Sequence, residues 1–361
     1  MSSVVLMLAR FPALAVLLLV CVGLLAALLA APREPVVPGE VARFEAARPP
    51  AVAIVGGSQA LAGVAPLELL SGLSSLPGEA SVSSGDEVEG FAFEGADALQ
   101  QAAFVQTTLL SGYRVPAVLV WAVDPLAFDA GGPAIDVGRM RGVSPRSLAR
   151  AGAPVELLLS VALRQALPPL WAPAGASHRL DDLLELASSR LEPWQAALPG
   201  LRPRAGRAQA RVWTDAGDGW RPFEITADWR AEFYVRQASR LEARIEGYRF
   251  APYKEAFVRE VVLQARGAGS AVVLVELPVA PWYRSRVEGL PEFERWSAAI
   301  EVLARETGAV WVADGAAIDR DDRFGDPTHM PLATASSYSR RLGARLLENP
   351  EVRMAARERL P

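Results

Sequence analysis

The sequence predicts an α/β fold in which helices cover both faces of a mainly parallel sheet. Several short runs of the chain are continuously apolar, as strands are when both faces of a sheet are buried. Longer segments between these runs repeat their apolar residues at helical spacing, and strands that alternate with helices are typical of parallel sheets. The chain has 361 residues, which is enough for one large domain or two modest ones.

The predicted elements follow one another along most of the chain. The strands are residues 51–55, 115–123, 271–277 and 309–313. The helices are residues 59–73, 100–110, 228–247, 253–265, 293–307 and 332–347, and the last of them is expected to close the chain. We predict that these elements form one domain over residues 51–361. Residues 130–225 break the alternation with prolines, tryptophans and a glycine-rich turn, and we interpret them as a largely helical insertion.

Residues 11–30 carry no charge and follow Arg10. About 20 apolar residues span a bilayer as a helix, so we expect a membrane anchor over residues 1–31. A cleaved signal peptide is a second interpretation, because Ala30-Ala31-Pro32 loosely resembles a cleavage site. A buried helix of a soluble fold is a third, although such a helix usually has a polar face. The first two interpretations place the rest of the chain outside the cytoplasm, after a proline-rich linker at 32–50.

Composition and motifs exclude several classes of function. The net charge of −4 offers no basic surface of the kind that nucleic acids require. The single cysteine, Cys21, lies in the apolar N-terminal stretch, so the rest of the chain forms neither an internal disulfide nor a thiolate metal cage. No lysine follows Gly56-Gly57 as a phosphate-binding loop requires, and the spacing of the glycines matches no dinucleotide motif. We therefore expect no cofactor, no metal and no nucleic-acid partner.

Ser58 directly follows the first predicted strand and two glycines, Gly56 and Gly57. Ligands of open parallel sheets bind beyond the carboxyl ends of the strands. We expect the glycines to allow a sharp turn that exposes the Ser58 hydroxyl. The alternative is an ordinary strand-to-helix loop in which Ser58 is the N-cap.

Asp326 and His329 lie three residues apart just before the last predicted helix. At this spacing the carboxylate can accept a hydrogen bond from Nδ1–H of the imidazole, which leaves Nε2 to take a proton from a serine hydroxyl. Asp326-Pro327 could instead form a turn that caps the helix, and the two interpretations are compatible. The only other histidine, His178, lies in a polar part of the insertion and is expected to be exposed.

The order of these residues resembles that of the SGNH, or GDSL-like, hydrolases, over about residues 51–128 and 250–348. The resemblance implies a flavodoxin-like three-layer domain and a catalytic triad of Ser58, His329 and Asp326. It also implies an oxyanion hole formed by the backbone N–H groups of Ser58 and Gly95 and by an asparagine side chain. Asp124 stands where that asparagine is expected, and a carboxylate donates no hydrogen bond unless it is protonated. Asp124 could instead cap a helix or bind a partner group.

Two strand ends are similar to those of membrane-anchored bacterial members of this family that are linked to acylation of cell-surface polymers. They are Val123-Asp124-Pro125 and Leu277-Pro278-Val279-Ala280-Pro281. The resemblance implies an outward-facing esterase or O-acyltransferase of the bacterial cytoplasmic membrane. Its substrate would be a cell-surface glycan or polymer, and its partner a membrane-bound acyltransferase.

The sequence also suggests an α/β-hydrolase and a non-catalytic protein. The stretch 56–60 nearly matches the G-x-S-x-G elbow of α/β-hydrolases, but that fold places several strands before its nucleophile, so we reject it. A non-catalytic glycan-binding or assembly component on the same fold stays open. Trp171, Trp220 and Trp282 could stack on sugar rings in such a protein, although tryptophans are more often part of a core.

Overall fold

The computed structural model describes residues 50–74, 87–92, 96–110, 115–131, 143–166, 212–213, 220, 223–224 and 227–359. The predicted anchor and almost all of the predicted linker lie outside these ranges. Within them, no helix combines the length and the apolar character that crossing a bilayer requires.

A five-stranded parallel sheet forms the centre of the described structure. The seven strands of the described residues are β1 (Val52–Gly56), β2 (Val88–Ala92), β3 (Val118–Ala122), β4 (Val212–Trp213), β5 (Phe223–Glu224), β6 (Ala271–Glu276) and β7 (Val310–Ala313). The sheet has the order β2-β1-β3-β6-β7, and β4 pairs separately with β5 in an antiparallel manner. The α/β class and the parallel sheet agree with the prediction.

Eleven α-helices lie in the described ranges. They are α1 (Ser58–Gly63), α2 (Pro66–Leu73), α3 (Ala98–Phe104), α4 (Pro145–Arg150), α5 (Val155–Ala166), α6 (Ala227–Gly247), α7 (Pro252–Gly267), α8 (Pro281–Val287), α9 (Pro291–Thr307), α10 (Leu332–Leu346) and α11 (Pro350–Arg359). A π-helical turn, Val105–Leu109, continues α3. Six of the helices begin with proline, whose fixed φ and missing N–H suit the first helical position.

Three details of the prediction are wrong. The single helix expected over 59–73 is two helices, because the chain leaves helical geometry at Val64-Ala65 before Pro66 starts α2. The helix over 332–347 does not close the chain, since α11 follows it. Strand β2 was not predicted; its sequence, VEGFA, places a charged residue and a glycine within the run, so it lacks a continuous apolar pattern.

Helices bury both faces of the sheet. Val52 and Ile54 of β1 belong to the apolar cluster that includes α2, α10 and α11, whereas Ala53 and Val55 belong to the cluster that includes α3, α7 and α9. All four side chains are at most 1% exposed. Burial of a valine- or isoleucine-sized side chain contributes about 1.5–3 kcal/mol, so this alternation fixes the register of the strand that leads to Ser58.

Helices α2 and α10 pack at backbone contact. A Cβ added to Gly72 would lie 2.1 Å from the carbonyl oxygen of Arg340, and one added to Gly343 would lie 2.3 Å from that of Leu69. Beside this contact, the buried Ser339 hydroxyl accepts a hydrogen bond from the Ala65 N–H at 2.8 Å. The close approach fixes the segment that carries Ser58 relative to the segment that carries His329.

The region predicted as a largely helical insertion is described in part. It contains α4 and α5, and also the antiparallel pair β4–β5, which was not predicted. Val143, Leu148 and Val161 are buried in the cluster on the α3 side of the sheet. These parts of the region therefore share the core of the α/β domain.

Candidate active site

Ser58 is the first residue of α1, immediately beyond the carboxyl end of β1. Its N-cap is Gly57, so the alternative in which Ser58 caps the helix is wrong. The expected role of the glycines also needs correction, because neither has a positive φ. Gly56 is required by close packing instead: a Cβ there would lie 2.5 Å from the Ala60 Cβ and 3.0 Å from the Ala122 Cβ. The small residue lets α1 begin directly against the sheet.

The structure brings Ser58, His329 and Asp326 into one hydrogen-bonded chain. Oγ of Ser58 lies 3.0 Å from Nε2 of His329, across 271 positions of sequence. Nδ1 of the same imidazole lies 2.8 Å from each carboxylate oxygen of Asp326. The His329 side chain is 12% exposed and the Asp326 side chain 6%, so little water competes for these contacts.

The Asp326 carboxylate is held by several donors. It accepts hydrogen bonds from the backbone N–H groups of Thr328 and His329, both at 2.9 Å, and from the Thr328 hydroxyl at 3.2 Å. Burial alone would raise the pKa of Asp326, but the neighbouring His329 and the Thr328 hydrogen bonds lower it below the ordinary value. The residue therefore stays ionised beside the imidazole. It is not the cap of α10, whose N-cap is Pro331.

Neighbouring loops fix the segment between Asp326 and His329. The Gly325 N–H donates to the His329 carbonyl at 2.9 Å, which closes the loop on itself. Beyond β6, the Ala280 N–H donates to the Pro327 carbonyl at 3.0 Å. The Leu277–Pro281 strand end that was singled out in the sequence thus supports the histidine loop.

Phe223 of β5 packs on this loop and was not predicted as part of the site. Its ring stacks on the His329 imidazole with centroids 5.3 Å apart and an interplanar angle of 25°. A Cβ added to Gly325 would lie 2.4 Å from the same ring. Phe223 is fully buried. No local sequence signal marks it, because a two-residue strand has no periodicity to recognise.

Ser58 and His329 open into a cavity of about 250 Å³. Helix α6 forms one wall and contributes Gln237, Arg240 and Arg244, which share one face at helical spacing. Within the described part of the chain, no carboxylate forms an ion pair with either arginine, whereas Arg236 of the same helix pairs with Glu232 at 3.0 Å. The wall of the cavity is therefore cationic.

Asp124, which stands where the resemblance predicts an asparagine, also lines this cavity. Its Oδ1 accepts the Leu126 N–H at 2.9 Å and caps the 3₁₀ turn Pro125–Phe128, as one of the two alternatives anticipated. Burial raises the pKa of Asp124 above its ordinary value, although the Leu126 hydrogen bond, Arg244 and His329 act in the opposite direction. Gly95, the other predicted oxyanion donor, lies outside the described residues.

The remaining sequence candidates are not at the cavity or are not described. His178 and Trp171 lie outside the described ranges. Nε1 of Trp220 donates to the Ala62 carbonyl at 3.1 Å, and its ring packs on the core. Trp282 is stacked under the Arg286 guanidinium, 5.6 Å from the ring centroid.

No protein-family model matches the chain, and no curated protein matches it. A functional interpretation of the site therefore rests on its geometry and on the order of its residues in the chain.

Proposed function

We propose that the protein is an SGNH-like serine esterase or O-acyltransferase that acts through Ser58, His329 and Asp326. The observation that carries the proposal is the continuous hydrogen-bonded chain from the Ser58 hydroxyl through both nitrogens of His329 to Asp326. A nucleophile, a base and a group that orients the base, within hydrogen-bond reach of one another, form the pattern of covalent acyl transfer. The parallel sheet order, in which the second strand lies outside the first, is the flavodoxin-like order that the family resemblance implies.

In the first step, Ser58 Oγ attacks the carbonyl carbon of an ester. The hydroxyl proton passes to Nε2 of His329, and the carbonyl π electrons move to the oxygen to give a tetrahedral oxyanion. Asp326 holds the imidazole through Nδ1 and stabilises its positive charge. Collapse of the intermediate re-forms the carbonyl, and the leaving alcohol takes the proton from His329. Ser58 then carries the acyl group as an ester.

The molecule that accepts the acyl group in the second step decides whether the protein is an esterase or an O-acyltransferase. Water attacking the acyl ester regenerates Ser58 and releases an acid, which makes the protein an esterase. A sugar hydroxyl that attacks in its place makes it an O-acyltransferase. His329 removes the proton from either acceptor and returns it to Ser58, so the same residues serve both reactions.

The positive charges of Arg240 and Arg244 in the cavity wall favour a negatively charged substrate. Neither arginine forms an ion pair with a carboxylate of the described residues, so both can bind a carboxylate, phosphate or sulfate group of the substrate through charge-assisted hydrogen bonds. Acidic glycans or polymers of the bacterial cell surface fit this charge. They also fit the proposed arrangement, in which the uncharged stretch at 11–30 anchors the protein in the cytoplasmic membrane and the domain faces outward.

The non-catalytic alternative has less support. Trp220 uses its indole N–H on Ala62 and packs on the core, and Trp282 is covered by Arg286. Neither lies with Ser58 and His329 in the wall of the cavity.

A fluorophosphonate probe tests the proposal, because it labels a serine only where a base activates it. We expect one labelled site in the full-length protein, lost in Ser58→Ala and His329→Ala. Ser285→Ala is the matched control, since Ser285 is exposed and bonds only to the Trp282 carbonyl within the described residues. Labelling that survives Ser58→Ala, or no labelling of the folded wild type, would contradict the proposal. Transfer of a labelled acetyl group to an acidic glycan, compared with its release as acetate, then separates transferase from esterase.

A further inference from the structure

Asp124 and Ser58 leave the sheet side by side. Strands β1 and β3 are parallel neighbours with Val55 opposite Trp121, and each of the two residues lies three positions beyond that pair. Neighbouring strands are about 4.8 Å apart. Both side chains line the same cavity of about 250 Å³, together with His329. The Asp124 side chain therefore shares the cavity with the Ser58 hydroxyl, the nucleophile of the proposed reaction.

One oxygen of the Asp124 carboxyl already accepts a hydrogen bond within the protein. Oδ1 accepts the Leu126 N–H, and within the described residues no donor is hydrogen-bonded to Oδ2. No arginine, lysine or histidine there forms an ion pair with Asp124 within 4 Å either. Oδ2 can thus carry a proton without losing a hydrogen bond that the folded protein has made.

Several titratable groups near Asp124 affect its pKa. Arg244 of α6 and the His329 imidazole favour the ionised form, whereas Glu276 at the end of β6 repels it. The phenols of Tyr248 and Tyr283 are also close, and both are buried. Burial outweighs the cations, so the pKa of Asp124 lies above its ordinary value.

We propose that Asp124 acts as a neutral carboxylic acid whose O–H donates a hydrogen bond to the oxyanion formed when Ser58 attacks an ester. The inference rests on the proposed function. The proton stays on Asp124 throughout, while the Ser58 proton goes to His329 and then to the leaving alcohol. A carboxylic acid kept neutral by its site can serve as an oxyanion donor, and one such donor is worth about 10²–10³-fold in rate. Asp124 therefore supplies the donor that an asparagine amide would supply at this position.

The inference predicts a particular pH dependence. The oxyanion donor requires neutral Asp124, so activity falls as Asp124 loses its proton. Asp124→Asn keeps a donor and the cap on Leu126 but does not titrate. The ratio of its kcat/KM to that of the wild type should rise with pH, by about tenfold for each unit above the Asp124 pKa. Asp124→Leu removes the donor and should lose about 10²–10³-fold at acidic pH.

The experiment is the hydrolysis of p-nitrophenyl acetate from pH 5 to 9 by the full-length wild type, Asp124→Asn and Asp124→Leu. This neutral substrate removes repulsion between an ionised Asp124 and a charged ester. Glu276→Gln is the control, because burial raises the pKa of Glu276 to about 7 and its ionisation would fall in the same range. We expect the alkaline fall in activity to persist in Glu276→Gln and to disappear in Asp124→Asn.

Two results would overturn the inference while the proposed function stands. One is fluorophosphonate labelling of Ser58 together with an Asp124→Asn to wild-type ratio that is constant from pH 5 to 9. The other is folded Asp124→Leu, checked by circular dichroism, with the activity of the wild type. If Asp124→Leu does not fold, the Asp124→Asn ratio alone decides. Wild-type protein that is folded yet neither labelled nor active would refute the proposed function, and the inference with it.

Discussion

The Phe223 ring covers one face of the His329 imidazole, with centroids 5.3 Å apart. The two residues come from different parts of the chain, and the ring also fills the space above Gly325 in the histidine loop. Stacking of this kind restricts rotation of the imidazole, which Ser58 and Asp326 hold only at its edges.

Replacement of this ring should slow the proposed reaction. Phe223→Leu keeps most of the apolar volume, so we expect a stability loss of about 1–1.5 kcal/mol and a fall of about tenfold in kcat. Phe233→Leu is the matched control, because Phe233 packs on Phe223 at 5.9 Å and is not stacked on His329. Urea unfolding and steady-state hydrolysis measure the two effects. Equal kcat values for the two variants would mean that Phe223 does not position the imidazole.

Ser58 and His329 should behave as one unit. Ser58→Ala and His329→Ala should each abolish turnover, and the double variant should be hardly slower than either, because parts of one catalytic unit are strongly non-additive. Asp326→Asn should lose less than either, since the backbone still holds the histidine loop. Ser58→Ala should stay folded, because removal of a hydroxyl at the cavity leaves no large void in the core, and circular dichroism checks the fold of the other variants. Full activity of folded Ser58→Ala would exclude it as the nucleophile.

Arg240 and Arg244 should select substrates by charge. We expect Arg240→Gln and Arg244→Gln each to reduce kcat/KM about tenfold for the negatively charged ester p-nitrophenyl hydrogen succinate, because each removes a charge-assisted hydrogen bond. Hydrolysis of neutral p-nitrophenyl acetate should change less than about twofold. Arg236→Gln is the control, since Arg236 pairs with Glu232 and does not line the cavity. Equal losses on the two esters would argue against an anion site.

Glu276 should make stability depend on pH. Burial, with a smaller contribution from the neighbouring Asp314 carboxylate, raises its pKa from the ordinary 4.5 to about 7. The folded protein then binds more protons than the unfolded chain between pH 4.5 and 7, so stability falls as pH rises through this window. We expect Glu276→Gln to be more stable than the wild type at pH 8 by on the order of 1–3 kcal/mol and to match it near pH 4.5.

Urea unfolding of both proteins at pH 4.5, 6 and 8 checks this prediction. Glu301→Gln is the control, because Glu301 is exposed on α9 and the substitution changes the same charge without changing a buried group. The stability difference between Glu276→Gln and the wild type should therefore vary with pH. A difference that stays constant would show that the pKa of Glu276 is not raised in the folded protein.

The fold class and the positions of four of the five strands of the sheet follow from local patterns in the sequence. Strands buried on both faces must be apolar, so β1, β3 and β6 are visible as runs. Edge strand β7 is only partly buried, but its four residues are also apolar. Ser58, Asp326 and His329 were also recognisable as candidates, because a short spacing and the end of a strand are local features. Edge strand β2 was missed, since its pattern is interrupted and its register comes from pairing with β1.

Which of these residues meet depends on how distant segments of the chain pack together. Ser58 and His329 are 271 positions apart in the sequence, and this separation says nothing about their distance in space. They meet because parallel strands place their carboxyl ends at one edge of the sheet. Phe223, Arg240 and Arg244 join the site because a short strand and one face of α6 pack against that edge. Their sequence patterns are those of an ordinary strand and an ordinary solvated helix. The packing of distant segments, which no local pattern encodes, gives these residues their place beside Ser58.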